Sequence, residues 1–522
     1  MDRLKKFFIN GIVLTLVALV SRYVSVGFNI YLSKKIGSVA MGLFTLVSSV
    51  YGFALTLATS GINLATTKLV SESLGKGAAK SNYPTEQTVS KIMKKSILFS
   101  LFISFSTSVA LFAGAEFIGV GLLDDSRTVS SIKILALSLV PIAVSSSLCG
   151  YFSAVRQAYK NASIQVFTQA LRISLCVFLL SSALAKDMES ACSCIVLATT
   201  ISEISAFIFE LFLFTSDRRR KRKGKKTLKA FDSSLPSKLI SITLPVALSA
   251  YVRSALVTIE HLMIPRGLEK SGASRELSLA SYGVLHSLVF PLILFPSAIS
   301  SAFANLLVPE ISESAAEGDE ARIERIVSRV LKTVLIYSIG TAGIIMYMAK
   351  ELGRVLINAQ DADKFIIMIA PLIPFMYLDT SVDSILKGLG YQFYTMVINI
   401  VDATLSVILV ALLLPKFGII GYVITVYFTE LVNLTLSLFK LLCVTQTKIQ
   451  IINWIAKPIA SIIGATACVG LFFERFLGYA SSRSEIFFHI VCVSLIYFIF
   501  LSVLRVLSPK KIWYSFYRFI KA

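Results

Sequence analysis

Long apolar stretches, about fourteen of them and separated by short polar loops, fill almost the whole of this 522-residue chain. About 20 apolar residues span the roughly 30 Å hydrocarbon core of a bilayer as a helix. Lipid offers the backbone no hydrogen-bond partners, so repeated stretches of this length indicate a bundle of helices. The composition agrees, since 55% of the residues are hydrophobic and only 16% are charged. The sequence therefore predicts an all-α polytopic membrane protein with about fourteen transmembrane helices.

The chain is predicted to cross the cytoplasmic membrane many times and to keep both termini in the cytoplasm. Most of its 51 Lys and Arg residues fall on one side of the predicted bundle, above all in the run Arg218–Lys226. Cytoplasmic loops carry such an excess. The first stretch is too long for a signal peptide, so we expect a retained helix. The predicted helices lie near residues 7–31, 42–70, 96–120, 131–153, 163–185, 190–215, 239–264, 278–308, 330–349, 365–386, 395–414, 419–439, 455–473 and 486–504.

The net charge of +21 does not indicate a nucleic-acid partner. The basic residues are spread along loops beside the membrane and lack the interleaved aromatics that stack bases. Attraction to anionic membrane lipids accounts for the charge.

An internal duplication divides the chain. Gly42 aligns with Gly283, and at the same offset Ser71-Glu72-Ser73 aligns with Ser312-Glu313-Ser314. The repeated unit holds six helices, an even number, so the two copies are parallel repeats, as in many secondary transporters. A longer external loop in the second half, from Pro265 to Leu277, is predicted to shift the offset of the first helix of each copy. We predict a six-helix lobe with a basic linker over 1–229, a second six-helix lobe over 230–450, and two extra helices with a basic and aromatic cytoplasmic tail over 451–522.

Two arginines fall at matching depths of the two copies, Arg22 in the first predicted helix and Arg253 in the seventh. An arginine at mid-bilayer costs about 2.5–3.5 kcal/mol unless it faces water or a partner. One hypothesis places both in a shared hydrated cavity, where their planar donor forks would bind a diphosphate. The alternative is internal ion pairing, for Arg253 with Glu260 or with an acid on a neighbouring helix.

Several acids are also predicted to lie within the membrane, and three are candidates for ion coupling: Glu260, Asp379 and Asp383. Asp379 and Asp383 are four residues apart and so share one helix face. A carboxylate pair at depth can carry a proton or a sodium ion. The alternative is partnership with the arginines or a place in a wet vestibule.

Proline residues predict kinks in three of the helices, because each removes a backbone donor and frees carbonyls that can line a cavity. They are Pro141, Pro291, Pro296, Pro371 and Pro374. Motifs of nucleotide hydrolases, serine hydrolases and metal enzymes are not found in the sequence. We therefore expect no catalytic residue, no metal site and no cofactor beyond a coupling Na⁺ or H⁺.

Several short segments resemble the stage V sporulation protein B type of polysaccharide transporter, over nearly the whole length. They are Ser21-Arg22 through Lys34-Lys35-Ile36-Gly37, Gly42-Leu43-Phe44, Gly61, Lys68-Leu69-Val70, Thr258 through Arg266, Leu307 through Glu313, and Ile385-Leu386-Lys387-Gly388-Leu389-Gly390. This type belongs to the multidrug/oligosaccharidyl-lipid/polysaccharide exporter superfamily, whose members have two six-helix lobes, often with two extra helices.

The resemblance implies a flippase that moves an undecaprenyl-diphosphate-linked saccharide to the outer leaflet for cell-wall or surface-polysaccharide synthesis. Arg22 matches the arginine in the first helix of the family. Relatives often carry a second arginine about two turns later, where this chain has Asn29. On this reading Arg22, Asn29 and Arg253 bind the substrate, and the partners are the lipid-linked saccharide and membrane lipids.

Two other functions stay open at this point. One is a drug or cation antiporter of the same superfamily, which would need an acidic or apolar cavity. Asp379 and Asp383 would supply the acidic side chains of such a cavity. A membrane scaffold would recruit wall- or polysaccharide-synthesis enzymes through the basic loop around Arg220.

Overall fold

The computed structural model describes residues 2–79, 85–181, 187–222, 235–357, 359, 361–476 and 483–506. Within these ranges the chain is helical and contains no strand, so the predicted all-α membrane fold is confirmed. The predicted tail beyond residue 506 and most of the basic linker lie outside the described residues.

The helices of the first half are α1 (Asp2–Thr59), α2 (Ile62–Ala79), α3 (Thr85–Ala113), α4 (Thr128–Ala136), α5 (Leu139–Ala154), α6 (Ala158–Ser181) and α7 (Met188–Arg222). Those that follow are α8 (Leu235–Lys270), α9 (Arg275–Gly283), α10 (Phe290–Leu294), α11 (Ser297–Glu317), α12 (Glu320–Tyr347), α13 (Ala349–Glu351), α14 (Ala362–Ile369), α15 (Ile373–Gly388), α16 (Gln392–Phe417), α17 (Ile419–Thr445), α18 (Lys457–Phe476) and α19 (Arg483–Val503). Four π-helical segments and a 3₁₀ turn interrupt this series: Phe117–Leu122, Val284–Val289, Leu352–Ile357, Ile452–Ala456 and Ala370–Leu372.

Eleven helices of the described chain are long and apolar enough to cross a membrane, or twelve if the bent pair α4 and α5 forms one span. The predicted count of fourteen therefore stays a prediction. One reason for the lower count is that α1 and α2 together pass as a single span, Leu19–Lys76. Gly37 divides α1 into two helices with a φ of 82°, a conformation that glycine adopts without steric cost.

The helices break near the prolines that the sequence singles out. The axes of α4 and α5 differ by 41° just before Pro141, Pro296 separates α10 from α11, and Pro371 lies in the 3₁₀ turn before α15. Pro265 behaves differently, because α8 continues through it to Lys270. The predicted loop from Pro265 to Leu277 is therefore wrong in extent, and only residues 271–274 separate α8 from α9.

Contacts group the chain into two compact units. Unit 1 comprises Met1–Ser21, Lys35–Arg266 and Arg275–Ala280, and unit 2 comprises Arg22–Lys34, Gly267–Ser274 and Ser281–Ala522. The predicted division at residues 229 and 450 stays a prediction.

Small residues let helices pack closely inside each unit, as is usual in membranes. In unit 1, a Cβ on Gly150 of α5 would lie 2.8 Å from the carbonyl oxygen of Asn63 in α2. The core around this contact includes Leu69, Met93 and Tyr151. In unit 2, Gly340 and Gly343 of α12 receive the side chains of two later helices, namely Tyr497 of α19 and Ile462 of α18. The Tyr497 hydroxyl also donates to the carbonyl oxygen of Ile336, at 2.8 Å.

Candidate substrate-binding site

A broken helix in unit 2 forms the centre of the candidate site. After α9 the chain passes through the π-helical segment Val284–Val289, the short helix α10 and a break at Phe295–Pro296 before α11 begins. A π-helical turn and a proline both leave backbone carbonyls without their usual partners. Such carbonyls must find other donors when the surroundings are apolar.

Side chains from three other helices supply those donors at the break. Tyr377 of α15 donates through its hydroxyl to the carbonyl oxygen of Ile293, at 2.6 Å. Tyr337 of α12 donates to the carbonyl oxygen of Pro296, at 3.0 Å. The two tyrosine rings are stacked 6.2 Å apart. The break is therefore a defined structure rather than a frayed helix end.

Arg22 is the third donor. Its Nη1 donates to the carbonyl oxygen of Leu294 at 3.3 Å and to the hydroxyl of Ser297 at 3.1 Å. The side chain is exposed, and its Nε and Nη2 donate to no other described residue. A guanidinium carries five N–H donors in a rigid fork. Arg22 therefore holds the break with one nitrogen, while its other two nitrogens have no hydrogen-bond acceptor among the described residues.

Asn29 lies two turns further along α1 and faces the same broken helix. Its Nδ2 donates to the carbonyl oxygen of Ser287, inside the π-helical segment, at 3.0 Å. Arg22 and Asn29 thus bind the two irregular parts of this helix, and the structure brings these two predicted site residues together in unit 2.

Arg253, the third predicted substrate-binding residue, lies in unit 1. Its helix α8 is held to the second part of α1 by Tyr251, whose hydroxyl donates to the carbonyl oxygen of Leu57, and by Thr258, which donates to that of Ser49. Arg253, two residues after Tyr251, is on the other side of the helix at about 100° per residue. It is exposed and forms no ion pair or hydrogen bond with any described residue. Pairing with Glu260, the alternative that the sequence left open, is therefore not observed.

The ion-coupling candidates Asp379 and Asp383 lie in an acidic cluster of unit 2, formed by α15, α16 and α17. Glu430 is close enough to both, and to Asp402, to interact electrostatically with each. Asp383 accepts hydrogen bonds from Lys387 Nζ at 3.3 Å and from an amide of α16, Asn399 Nδ2, at 3.2 Å. Four carboxylates repel one another when all are ionised at low dielectric, but the described acids do not form a group that could hold a metal ion.

Two amide side chains that the sequence reasoning missed complete this cluster. Asn399 binds Asp383, and Asn433 of α17 donates to Asp379 Oδ2 at 3.5 Å. The buried Oδ1 atoms of Asp383 and Asn433 accept no hydrogen bond from the part of the chain that the structure describes. Polar residues inside predicted spans were the only available signal for them. Glu260, the third coupling candidate, lies in unit 1.

Other charged residues of unit 1 have structural partners. Arg172 of α6 forms an ion pair with Glu203 of α7. Arg218, at the start of the basic run, donates to a carboxylate oxygen of Glu86 at 2.9 Å and to its carbonyl oxygen at 3.1 Å. Residues 223–234 of this linker lie outside the described residues.

A second pair of arginines, which sequence reasoning also missed, binds the end of the π-helical segment Phe117–Leu122 in unit 1. The chain leaves that segment through Asp124, whose φ is 54°, so the last carbonyls point out of the helix. Arg266 of α8 donates to the carbonyl oxygens of Gly121 and Leu122, at 3.2 and 2.8 Å. Arg275 of α9 donates to those of Leu123 and Asp124, at 2.9 and 2.7 Å.

The chain shares its fold with solved structures of membrane transporters. A structure of lipid II flippase MurJ in an inward closed conformation superposes with a TM-score of 0.71 at 13% identity, covering 94% of this chain and 98% of that one. An inward-facing multidrug resistance MATE family transporter superposes with a TM-score of 0.59 at 14% identity, covering 83% and 100%. At these identities the likeness defines the fold.

The chain belongs to the polysaccharide biosynthesis protein family, which it matches over residues 7–314, and residues 273–413 match the MatE family. Stage V sporulation protein B of Bacillus subtilis (strain 168) is 24% identical over 83% of this chain and 83% of its own length. Lipid II flippase MurJ of the same organism is 23% identical over 76% of this chain and 75% of its own length. The predicted resemblance is confirmed.

Proposed function

We propose that this protein flips a lipid-linked oligosaccharide, carried on undecaprenyl diphosphate, across the cytoplasmic membrane for cell-wall or surface-polysaccharide synthesis. Membership of the polysaccharide biosynthesis protein family and similarity to a protein named as a lipid II flippase support the substrate class. The observation that carries the proposal is Arg22, whose guanidinium keeps Nε and Nη2 for a ligand while Nη1 holds the helix break.

In this mechanism Arg22 neutralises part of the diphosphate charge, and the sugar travels through a hydrated interior while the prenyl chain stays in lipid. The break between α10 and α11 gives the helix a point about which it bends, and the contact of Arg22 with the carbonyl oxygen of Leu294 links ligand binding to that bend. Alternating access then moves the head group from one face to the other. Asn29 steadies the π-helical segment. Arg253 is a separate candidate cation in unit 1.

The test compares Arg22→Gln with Arg22→Lys and Ser297→Ala in proteoliposomes that contain a labelled lipid-linked sugar. Gln keeps a donor for the helix break but removes the charge, whereas Lys keeps the charge without the fork. A charge-assisted hydrogen bond contributes about 1.5–3 kcal/mol, so we expect Arg22→Gln to slow translocation by about tenfold to a hundredfold. Ser297→Ala, which leaves the cation in place, serves as the control and is expected to stay near the wild-type rate. Full activity of Arg22→Gln would refute the role of Arg22.

We further propose that the acidic cluster couples transport to an ion gradient, with Asp379 and Asp383 as the carriers of H⁺ or Na⁺. Glu260 is a separate candidate in unit 1. Asp383→Asn is expected to leave transport insensitive to an imposed pH or Na⁺ gradient, because one ionisable group is removed without change of size. Lys387→Gln, which removes only the neighbouring cation, is the matched control. A gradient response of Asp383→Asn equal to that of the wild type would exclude Asp383.

A drug or cation antiporter is the second candidate function. The acidic cluster favours it, since a cationic substrate would bind to carboxylates at Asp379, Asp383 and Glu430. Resistance of expressing cells to cationic dyes, lost in Asp379→Asn and retained in Arg22→Gln, would favour the antiporter. The opposite pattern supports the flippase.

A further inference from the structure

A cleft in unit 1, separate from the arginine site and the acidic cluster, lies where three helices end. It has a volume of about 540 Å³ and is lined by the last turn of α3, the chain before α4, α4 itself and the first turn of α7. Both α3 and α7 are long and apolar enough to cross a membrane, and the apolar part of α3 ends at Ala113 whereas that of α7 begins at Glu189. We expect the ends of such helices, and therefore the cleft, to lie at the depth of lipid head groups.

The two charged side chains of this cleft are of opposite sign and are not paired. Lys133 and Glu189 both line it, yet neither forms an ion pair or hydrogen bond with any described residue. The ammonium of Lys133 lies 5.9 Å from the centroid of the Phe112 ring, a contact that orients the cation without neutralising it. The hydroxyls of Ser126 and Ser130 add polar groups to the lining.

An apolar track leads from this cleft into the membrane. The exposed side of α3 carries large apolar side chains spaced by three or four residues: Leu98, Phe102, Phe105, Val109 and Phe112. At 1.5 Å per residue this stripe is about 21 Å long, which is more than half of the roughly 30 Å hydrocarbon core. One acyl chain of one leaflet, which covers about half of that core, can lie against the part of the stripe nearest the cleft.

We propose that this cleft binds a membrane phospholipid with a phosphoethanolamine head group. The phosphate would accept hydrogen bonds from Lys133, the primary ammonium would donate to Glu189, and one acyl chain would follow the apolar stripe of α3. The charges select this head group, because phosphoglycerol offers Glu189 neutral hydroxyls but no cation, and a quaternary phosphocholine has no N–H to donate. The site is independent of the proposed transport function.

The test uses the full chain in nanodiscs with equal amounts of phosphatidylethanolamine, phosphatidylglycerol and phosphatidylcholine of matched acyl chains. Lipids that remain bound after detergent extraction are counted by native mass spectrometry. Wild type is expected to retain phosphatidylethanolamine in preference to the other two lipids. Lys133→Gln should lower retention of all three by about threefold to fivefold, the scale of an exposed ionic contact. Glu189→Gln should remove the preference for phosphatidylethanolamine and leave the other two unchanged.

Lys350→Gln is the matched control, because Lys350 is also exposed near the end of an apolar span and has no partner among the described residues. The ratio of bound phosphatidylethanolamine to bound phosphatidylglycerol is measured within each variant, so it does not depend on the yield of folded protein. An unchanged ratio in Glu189→Gln, or retention in Lys133→Gln equal to that in Lys350→Gln, overturns the proposal. Equal retention of the three lipids by wild type overturns it as well.

Discussion

Removing Arg275 or Arg266 should loosen the end of the π-helical segment Phe117–Leu122. Together they donate to four consecutive carbonyl oxygens, at 2.7 to 3.2 Å. Buried hydrogen bonds from a charged donor contribute about 1.5–3 kcal/mol. Because Arg275 is about one third exposed, its contribution should be near the lower end of this range. We expect Arg275→Gln to lower the free energy of local opening at this helix end by about 1–2 kcal/mol. Arg275 also donates to Asp124 Oδ2 at 3.3 Å, but that carboxylate is mostly exposed and adds little.

Amide hydrogen exchange measures this local cost directly. Where opening is local, each 1.4 kcal/mol corresponds to about a tenfold faster exchange, so Arg275→Gln should speed exchange of the 118–128 amides by about fivefold to thirtyfold. Lys270→Gln is the matched control, because Lys270 is an exposed cation on the last turn of α8 with no partner among the described residues. Exchange in Arg275→Gln that matches Lys270→Gln would refute the reasoning, since the arginine would then contribute nothing to the helix end.

Three further predictions concern an ion pair, a helix-packing contact and a buried hydroxyl group. Burial raises the pKa of Asp125, but hydrogen bonds and charge from Arg127 outweigh this effect, so the pKa lies below its ordinary value. The ionised Asp125 therefore stabilises the folded state fully above about pH 4. This stabilisation is lost as the pH falls through the lowered folded-state pKa. Asp125→Asn should therefore lower the free energy of unfolding by about 1.5–3 kcal/mol at neutral pH. It should also make the Tm depend less on pH on the acid side, and an unchanged slope of Tm against pH would contradict this. Gly340→Ala should lower the free energy of unfolding by about 1–3 kcal/mol through overpacking, because the new Cβ would lie 2.5 Å from the Tyr497 ring. Gly464→Ala is the control, since the atom nearest to its Cβ is 3.4 Å away, and equal Tm values for the two variants would contradict the prediction. Tyr377→Phe should lower the Tm more than Tyr427→Phe, because the Tyr377 hydroxyl is buried, and equal shifts would contradict this.

The fold could be predicted from the sequence because lipid restricts the backbone so strongly. Apolar length alone identified the helical class, and Pro296 and Pro371 marked real interruptions since a missing N–H acts locally. The predicted loop that starts at Pro265 was wrong in extent, since α8 continues through this proline to Lys270. The π-helical segment Val284–Val289 has no sequence signal of its own that we could use.

The candidate site could be predicted only in part, because its partners come from distant positions. The sequence predicted the depth of Arg22 in the first helix. Its contacts with Leu294 and Ser297 could not be predicted, because they join residues more than 270 positions apart. Four-residue spacing placed Asp379 and Asp383 on one face, whereas Asn399 and Asn433 come from other helices. Arg266 and Arg275 fell within the predicted external loop from Pro265 to Leu277, and only the αL conformation at Asp124 explains their role.

Translocation of a labelled lipid-linked sugar in proteoliposomes tests the central claim most directly, when wild type and Arg22→Gln are compared in the same preparation. We predict that wild type moves the sugar lipid between leaflets and that the uncharged variant, although folded, is slower by about tenfold or more. Equal rates in the two proteins, or no movement of the sugar lipid by wild type, would contradict the account.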